Sequence, residues 1–498
     1  MKTKRTLALL LLAAMLTTAA CSENASDNDA RQTDSLVSEA DTTPETEPDP
    51  LADLNYDGRS FRIYTSTNNP GGVGNSNYLI EGPEEETGDI VNDSALKRNT
   101  RVEEDLGVDL VFDEVDMDYT QVATRIRKLI STNDDAYDLV INDLFPLAAL
   151  VLEGSFINAY DGEYFNFDKN YWYKNFMQDV AIGNDAAYIL AGDFFIDMLR
   201  GAHGLIFNKT LMTTDTIDYN ELYNAVLDHK WTLDLLNEYI SKGYRDLNGN
   251  GKRDKNDQYG YVALQIWGPS IPFIIAADPD FITRDEDGIP SISVNNEKSV
   301  ALLEKLYNIF YNDASNPTLG DDYSKVFEAG RAYFMGYQRL GSLEDLREME
   351  QDIGILPYPM LDENQADYVT SVHDTTEIGV IPITATDLSF ISAVTEDLCR
   401  RTNEILLPVY YETGLKVKYA RGDDNDAKMI DIIHDHTGNG FVLAYDDMLN
   451  QIFMKNVFYV PLEAKNTNFA SAYKRNEKSA LRKLDKMIDD FLKATNGQ

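Results

Sequence analysis

Ser60-Phe61-Arg62-Ile63-Tyr64-Thr65 alternates apolar and polar side chains and is rich in β-branched and aromatic residues, which reads as a strand. Asn92-Asp93 then offers an N-cap to a helix over Ser94 to Leu106, and Gly107 ends it. Val108 to Phe112 is a second strand. Tyr119 to Ser131 places Val122, Ile126, Leu129 and Ile130 at helical spacing. Tyr137-Asp138-Leu139-Val140-Ile141 is a third strand, almost continuously apolar. Strand, helix, strand, helix, strand predicts an α/β fold with a parallel sheet covered on both faces. Ligands of such sheets sit beyond the carboxyl ends of the strands, here Ser66-Thr67-Asn68 and Asn142-Asp143.

The pattern restarts downstream. Ala187 to Leu190 and Gly204 to Phe207 are short apolar runs flanking Gly192-Asp193. Trp231 to Ser241 reads as a helix capped by Thr232, and Tyr259 to Leu264 as a strand. Ser299 to Tyr311 is an amphipathic helix, Ile353 to Leu356 and Gly379 to Ile383 are strands, and Leu388 to Tyr411 is mostly helical. Ser471 to Leu492 is a long charged helix. The chain has 498 residues, too many for one small core and enough for two or three domains.

The formal net charge is −40, and loss of Lys2, Lys4 and Arg5 with a cleaved leader takes it to −43. Such a surface repels nucleic acid and anionic headgroups, so no nucleic-acid partner is expected. The leader itself has a basic head (Met1 to Arg5), an apolar run (Leu7 to Leu16) and small residues, Thr18-Ala19-Ala20, before Cys21. That is the layout of an export signal over residues 1–20. A cysteine directly after the small residues resembles a bacterial lipoprotein signal, which implies cleavage before Cys21 and its lipidation. Thr18 departs from that motif, and an ordinary secretory signal with an incidental cysteine is the alternative. Residues 21–54 are rich in Ser, Thr, Asp, Glu and Pro and read as a flexible tether. With Cys21 lipidated, Cys399 has no disulfide partner and reads as a small core residue.

Four segments together resemble the extracellular solute-binding proteins of ABC importers (the family 1 type). Gly204-Leu205-Ile206-Phe207-Asn208-Lys209 resembles the family's strand ending in Asn-Lys. Trp231-Thr232-Leu233-Asp234 is similar to its Thr-Trp-Asp helix start with the first two residues exchanged. Phe327-Glu328-Ala329-Gly330-Arg331-Ala332-Tyr333-Phe334 is similar to its Phe-x-x-Gly-Lys-Ala segment, with Arg331 for lysine. Gly354-Ile355-Leu356-Pro357-Tyr358-Pro359 looks like its Gly-x-x-Pro-x-Pro strand. The resemblance implies a two-lobe periplasmic-binding-protein-like fold (type II), a hinge joining two doubly wound α/β lobes. Lobe one is then 55–192 with 377–440, and lobe two 196–372 with 445–498. The hinge is expected near Gly192-Asp193, Thr375-Thr376 and Tyr445. A ligand touching both lobes only when they are closed would bias closure by differential affinity.

Asp246-Leu247-Asn248-Gly249-Asn250-Gly251-Lys252-Arg253-Asp254-Lys255-Asn256-Asp257 matches a twelve-residue calcium loop. Asp246, Asn248, Asn250, Asp254 and Asp257 supply side-chain oxygens, Lys252 its carbonyl, and Gly251 the sharp turn. Asp stands at the last position and no outgoing helix follows, so a structural Ca²⁺ is expected rather than a sensor. A metal-free Asx-rich turn is the alternative.

Sugars present apolar C–H faces to aromatic rings and hydroxyls to planar polar groups. Trp172 and Trp267 are the stacking candidates, Trp267 in a loop before Pro269, while Trp231 reads as a packing residue. Polar candidates gather at the expected hinge: Asp193, Arg200 and His203 at the first crossing, His373, Asp374 and Glu377 at the second. His434 and His436 read as a polar helix end. No phosphate loop, Gly-x-Ser-x-Gly elbow or His-Glu-x-x-His occurs. The expected function is a ligand-capturing lipoprotein of an ABC importer, not an enzyme. It would be a monomer, lipid-anchored at the outer face of the cell membrane, passing an oligosaccharide to the permease subunits. A secreted glycosidase using two carboxylates, or a surface adhesion or sensor protein of the same fold, are the rival readings.

Overall fold

The computed structural model describes residues 48–68, 77–346, 349–412 and 424–495. The expected leader, Cys21 and the expected tether up to residue 47 lie outside the described residues; residues 50–54, also expected in the tether, instead join the folded body, where Leu51 is buried in the core. Two main sheets are built within one compact unit, Pro50–Gln498.

The first sheet follows the expected alternation. Strand β1 (Arg59–Asn68) leads to helix α1 (Ile90–Leu106), β2 (Val108–Asp118), α2 (Tyr119–Ser131), β3 (Leu139–Asp143) and α3 (Leu144–Val151). Strand β1 lies between β2 and β3 and is parallel to both. Helix α1 begins four residues before the expected start. Asp89 rather than Asn92-Asp93 is the cap, its carboxylate accepting from the Val91 and Asn92 N–H groups. Asp93 reaches back to the Thr87 and Gly88 N–H groups instead. Gly107 ends the helix in the left-handed region, φ 61°.

The second sheet comprises β4 (His203–Asn208), β5 (Tyr259–Val262), β6 (Ser315–Asn316), β7 (Ala332–Arg339) and β8 (Ile353–Leu356), in spatial order β8-β4-β7-β5-β6. It is mixed: β4 is antiparallel to both neighbours, whereas β5 is parallel to β6 and β7. The chain enters β4 by crossing from the first sheet and not through a strand–helix–strand unit, so its direction is free to differ. Helices α4 (Leu233–Ser241), α5 (Trp267–Ala276) and α6 (Glu297–Phe310) belong to this half. Thr232 caps α4 as expected, accepting from the Leu235 N–H, and Trp231 is fully buried with Nε1 donating to the Pro357 carbonyl at 2.9 Å.

The chain then returns to the first sheet as β9 (Glu377–Val380), antiparallel to β3. Helices α7 (Leu388–Arg401), α8 (Asp424–Asp435), α9 (Gly440–Tyr445) and the C-terminal α10 (Phe469–Thr495) follow. Cys399 is buried in α7, where loss of hydration pushes its thiol well up.

The two crossing segments run side by side. Ala202 bridges Val372, the His203 N–H donates to the Ser371 carbonyl at 2.9 Å, and the His373 N–H to the Gly201 carbonyl at 3.0 Å. A third segment joins them: Thr370 bridges Thr437, with its N–H 2.7 Å from the His436 carbonyl. Tyr445 is fully buried in α9.

Candidate functional site

A cavity of about 280 Å³ opens beside these paired segments. Residues from the second sheet and from a helix that follows the first sheet contribute to its wall. Phe145 comes from the first turn of α3, immediately after β3, and is 36% exposed. His203 starts β4, Tyr337 lies in β7, and His373-Asp374 belong to the second crossing. Trp267 is the first residue of α5, not a loop residue as its sequence position led us to expect. Pro269 falls in the first turn of that helix, where a missing N–H costs nothing, so it does not exclude a helix there. The stretch after α9 completes the wall with Asp446, Asp447, Gln451 and Lys455.

Tyr337 has a strained backbone. Its φ is 63°, in the left-handed region that bulky side chains avoid. The pairing of β4 with β7 slips at this point, which marks a bulge. The bulge turns Tyr337 toward the cavity. Its N–H donates to the Tyr358 hydroxyl at 2.8 Å, and its own hydroxyl lies 2.9 Å from His373 Nε2. Its ring stacks on His203, centroids 5.3 Å apart and planes 23° apart. Gln451, also in the wall, has φ 51°, and its neighbour Asn450 φ 67°. Strained backbone of this kind concentrates where a site needs a side chain aimed against local preference.

The wall combines neutral polar groups with charged ones. Burial pushes the His203 imidazole well below its ordinary value, reinforced by His373 and Arg339. Its Nδ1 faces the Ser371 carbonyl at 3.1 Å, which assigns the proton to Nδ1 and leaves Nε2 as a bare acceptor. Asp374 is held below the usual carboxylate range: partial desolvation opposes this, but His373 and backbone N–H groups outweigh it. Burial raises Asp446 to about 7, and its Oδ1 accepts from the Phe453 N–H at 2.8 Å, so it secures its own loop. Gln451 Nε2 donates to Asp447 Oδ1 at 2.6 Å, and Lys455 Nζ sits 5.7 Å above the Trp267 ring. Aromatic side chains and planar hydrogen-bonding groups thus share one wall, with Phe145, Trp267 and Tyr337 beside Asp374 and Gln451.

Of the residues singled out by sequence, Trp267, Asp374, His203 and His373 line the cavity. Trp172 does not. It is 5% exposed, packs edge-on against Phe165 and Phe167, and donates from Nε1 to Glu396 at 2.9 Å. Asp193 is buried behind the wall, its carboxylate 3.7 Å from His434 Nε2 and accepting from Asn403 at 2.7 Å. Arg200 is also buried, its guanidinium 5.6 Å from the Tyr78 ring. Glu377 is buried at the start of β9, opposite Asp143, and its carboxyl is pushed well up by burial and then by the Asp197 and Asp143 charges. All three acidic or basic groups stand inside the crossing region and not on its surface. Phe145, Tyr337 and Gln451 were missed by sequence reasoning. Gly336, a glycine inside an apolar strand, is the one signal that could have marked the bulge.

The Asp246–Asp257 loop lies between α4 and β5, pinned at its base by the Arg245–Gln258 bridge. Asp246 accepts from the Gly249 and Gly251 N–H groups at 2.7 and 2.8 Å. Gly249 and Gly251 both have φ 67°. Among the described residues, no three His, Cys, Asp or Glu side chains stand close enough to hold a metal by themselves. The loop's remaining oxygens belong to Asn248, Asn250 and the Lys252 carbonyl.

No protein-family model matches the sequence. No curated protein matches it either. Solved structures do. A cyclo/maltodextrin-binding protein complexed with maltotetraose superposes with TM-score 0.56 at 13% identity, over 88% of this chain and 98% of that one. A cyclic α-maltosyl-1,6-maltose binding protein from Arthrobacter globiformis gives TM-score 0.56 at 13% identity, over 86% and 99%. UspC of M. tuberculosis gives 0.54 at 12%, over 85% and 100%. At such low identity the likeness shows the fold: a mixed α/β, two-lobe periplasmic-binding-protein-like architecture. Among the described residues no helix is long and apolar enough to cross a membrane.

Proposed function

We propose that this chain is the ligand-capturing component of an ABC importer and binds an oligosaccharide between its two lobes without altering it. The observation that carries this reading is the cavity at the paired crossing segments, where Trp267 and Tyr337 present rings beside Asp374 and Gln451. The fold supports it, because two of the neighbours above are named for binding maltodextrin-type sugars. The lobes are assigned by sheet: residues around β1 to β3 and β9 form one, and residues around β4 to β8 the other. The layout of an export signal and Cys21 support lipid anchoring at the extracytoplasmic face; in this reading the chain acts as a monomer that delivers sugar to permease subunits.

Calorimetric titration of the purified protein with linear and cyclic malto-oligosaccharides tests the reading. Saturable binding with one sugar per chain, and unchanged oligosaccharide recovered afterwards, is the expected result. Hydrolysis products would point to the glycosidase alternative. No binding by any saccharide tried would remove the support for a sugar receptor.

A further inference from the structure

We infer that the Asp246–Asp257 loop is a calcium site, separate from the cavity, whose ion locks the loop onto the second sheet. The motif alone would not carry this. The structure adds a buried acceptor: Asp257 is fully buried, and its Oδ1 has no hydrogen-bond partner. Its other oxygen, Oδ2, lies 3.2 Å from the Asp254 N–H and 3.5 Å from the Tyr244 hydroxyl, so the carboxylate faces into the loop. A buried polar oxygen with no partner costs free energy unless a donor or a cation meets it. Asp257 is the twelfth residue of the loop, the position that closes the ligand shell of a calcium loop.

Asn248 and Asn250 brace Asp254 through their amide N–H groups, Asn250 Nδ2 at 2.9 Å from Oδ2, and their own Oδ1 atoms accept from the Asn250 and Lys252 N–H groups. Ion binding would turn these amide oxygens and the Asp254 carboxylate toward Asp257 Oδ1. A hard cation takes amide and carbonyl oxygens as readily as carboxylates, so a cluster of three acidic side chains is not required. Oxygen-only donors, flexible spacing and no cysteine or histidine favour Ca²⁺ over transition metals. Mg²⁺ demands tighter octahedral geometry and is the weaker candidate.

The loop is tied to its surroundings by its outward-facing groups. Tyr259 of β5 donates to the Asp254 carbonyl at 2.9 Å. Arg253 pairs with Asp313, Lys255 with Asp322, and Arg331 donates to the Lys255 carbonyl at 2.6 Å. An ion held inside the loop therefore orders β5 and the start of β7.

Titration of the full secreted chain with CaCl₂ alone, by calorimetry and thermal melting, tests the inference. One Ca²⁺ per chain, half-saturating between about 10 µM and 1 mM, is expected. Chelator should lower the melting temperature, and Asp257→Asn should weaken Ca²⁺ binding at least about tenfold. Where Asp257→Asn fails to fold, the exposed double variant Asn248→Ala/Asn250→Ala provides the same readout. The strongly acidic surface makes a control necessary. Equal Ca²⁺ responses in wild type and variants would mean diffuse charge screening and would overturn the site, as would the absence of saturable binding. Sugar binding by the cavity is read separately, so either result leaves that reading to its own test.

Discussion

The Tyr337 hydroxyl and His373 Nε2 are 2.9 Å apart, joining a strained residue of β7 to the second crossing segment. This bond links the second sheet to the strip of chain that leads into the first. It lies in the wall of the cavity, so a guest that draws on the Tyr337 hydroxyl also acts on the crossing. Tyr337→Phe keeps the ring and removes the bond. We expect sugar affinity to fall by about 1 kcal/mol, roughly fivefold, as for loss of one hydrogen bond. Calorimetry of the variant checks this, and unchanged affinity would place the hydroxyl outside recognition.

Two tryptophans separate stacking from packing. Trp267→Ala should weaken sugar binding by about 2 kcal/mol or more, as for an aromatic anchor, with a small effect on stability. Trp172→Ala should do the reverse. It empties a core position and strips Glu396 of a donor, at a cost of about 3–5 kcal/mol in unfolding free energy. Paired denaturant melts and titrations of the two variants distinguish these outcomes.

The buried contact of His434 with Asp193 makes stability depend on pH. Burial works against the imidazolium, but Asp193 and Asp435 overcome it and raise His434 to about 9. Its folded value lies above the ordinary value of about 6.5, so the native state binds the proton more tightly than the unfolded chain. The contribution is complete below pH 6.5 and disappears as pH rises through about 9. It amounts to at most about 3 kcal/mol. Urea melts of wild type and His434→Gln across pH 6 to 9.5 should converge at the alkaline end. A constant gap between them would contradict the assignment.

Asp426 of α8 anchors that helix to the second sheet. Lys209 Nζ meets its Oδ2 at 2.6 Å, and Oδ1 takes the Tyr223 hydroxyl at 2.5 Å and the Ile355 N–H at 3.0 Å. The pair is almost fully buried, so removing one charge strands the other. Asp426→Ala should cost about 3–5 kcal/mol. Asp426→Ala with Lys209→Met should recover part of that loss, and a double variant as unstable as the single one would argue against the pair.

The alternation of strands and helices was legible because periodicity is local. SFRIYT, VDLVF and YDLVI carry their strand identity in the side chains themselves, and Thr232 and Gly107 carry their capping chemistry. The start of α1 was less legible: Asp89 and Asn92-Asp93 are equivalent caps by residue type, and only the path of Thr87-Gly88 selects one. At the site, Trp267, His203, His373 and Asp374 could be named because the crossings lie near conspicuous polar and aromatic residues. Trp172, Asp193, Arg200 and Glu377 share those residue types yet face inward.

The sequence by itself determined the α/β class and the oxygen-rich loop at Asp246–Asp257, both properties of neighbouring residues. The tertiary structure alone decided which side of the crossing each polar residue faces, that β4 runs against its neighbours, and that a bulge aims Tyr337 at His373. Those outcomes depend on contacts between residues far apart in the chain, and no local preference encodes a partner that only folding brings within reach.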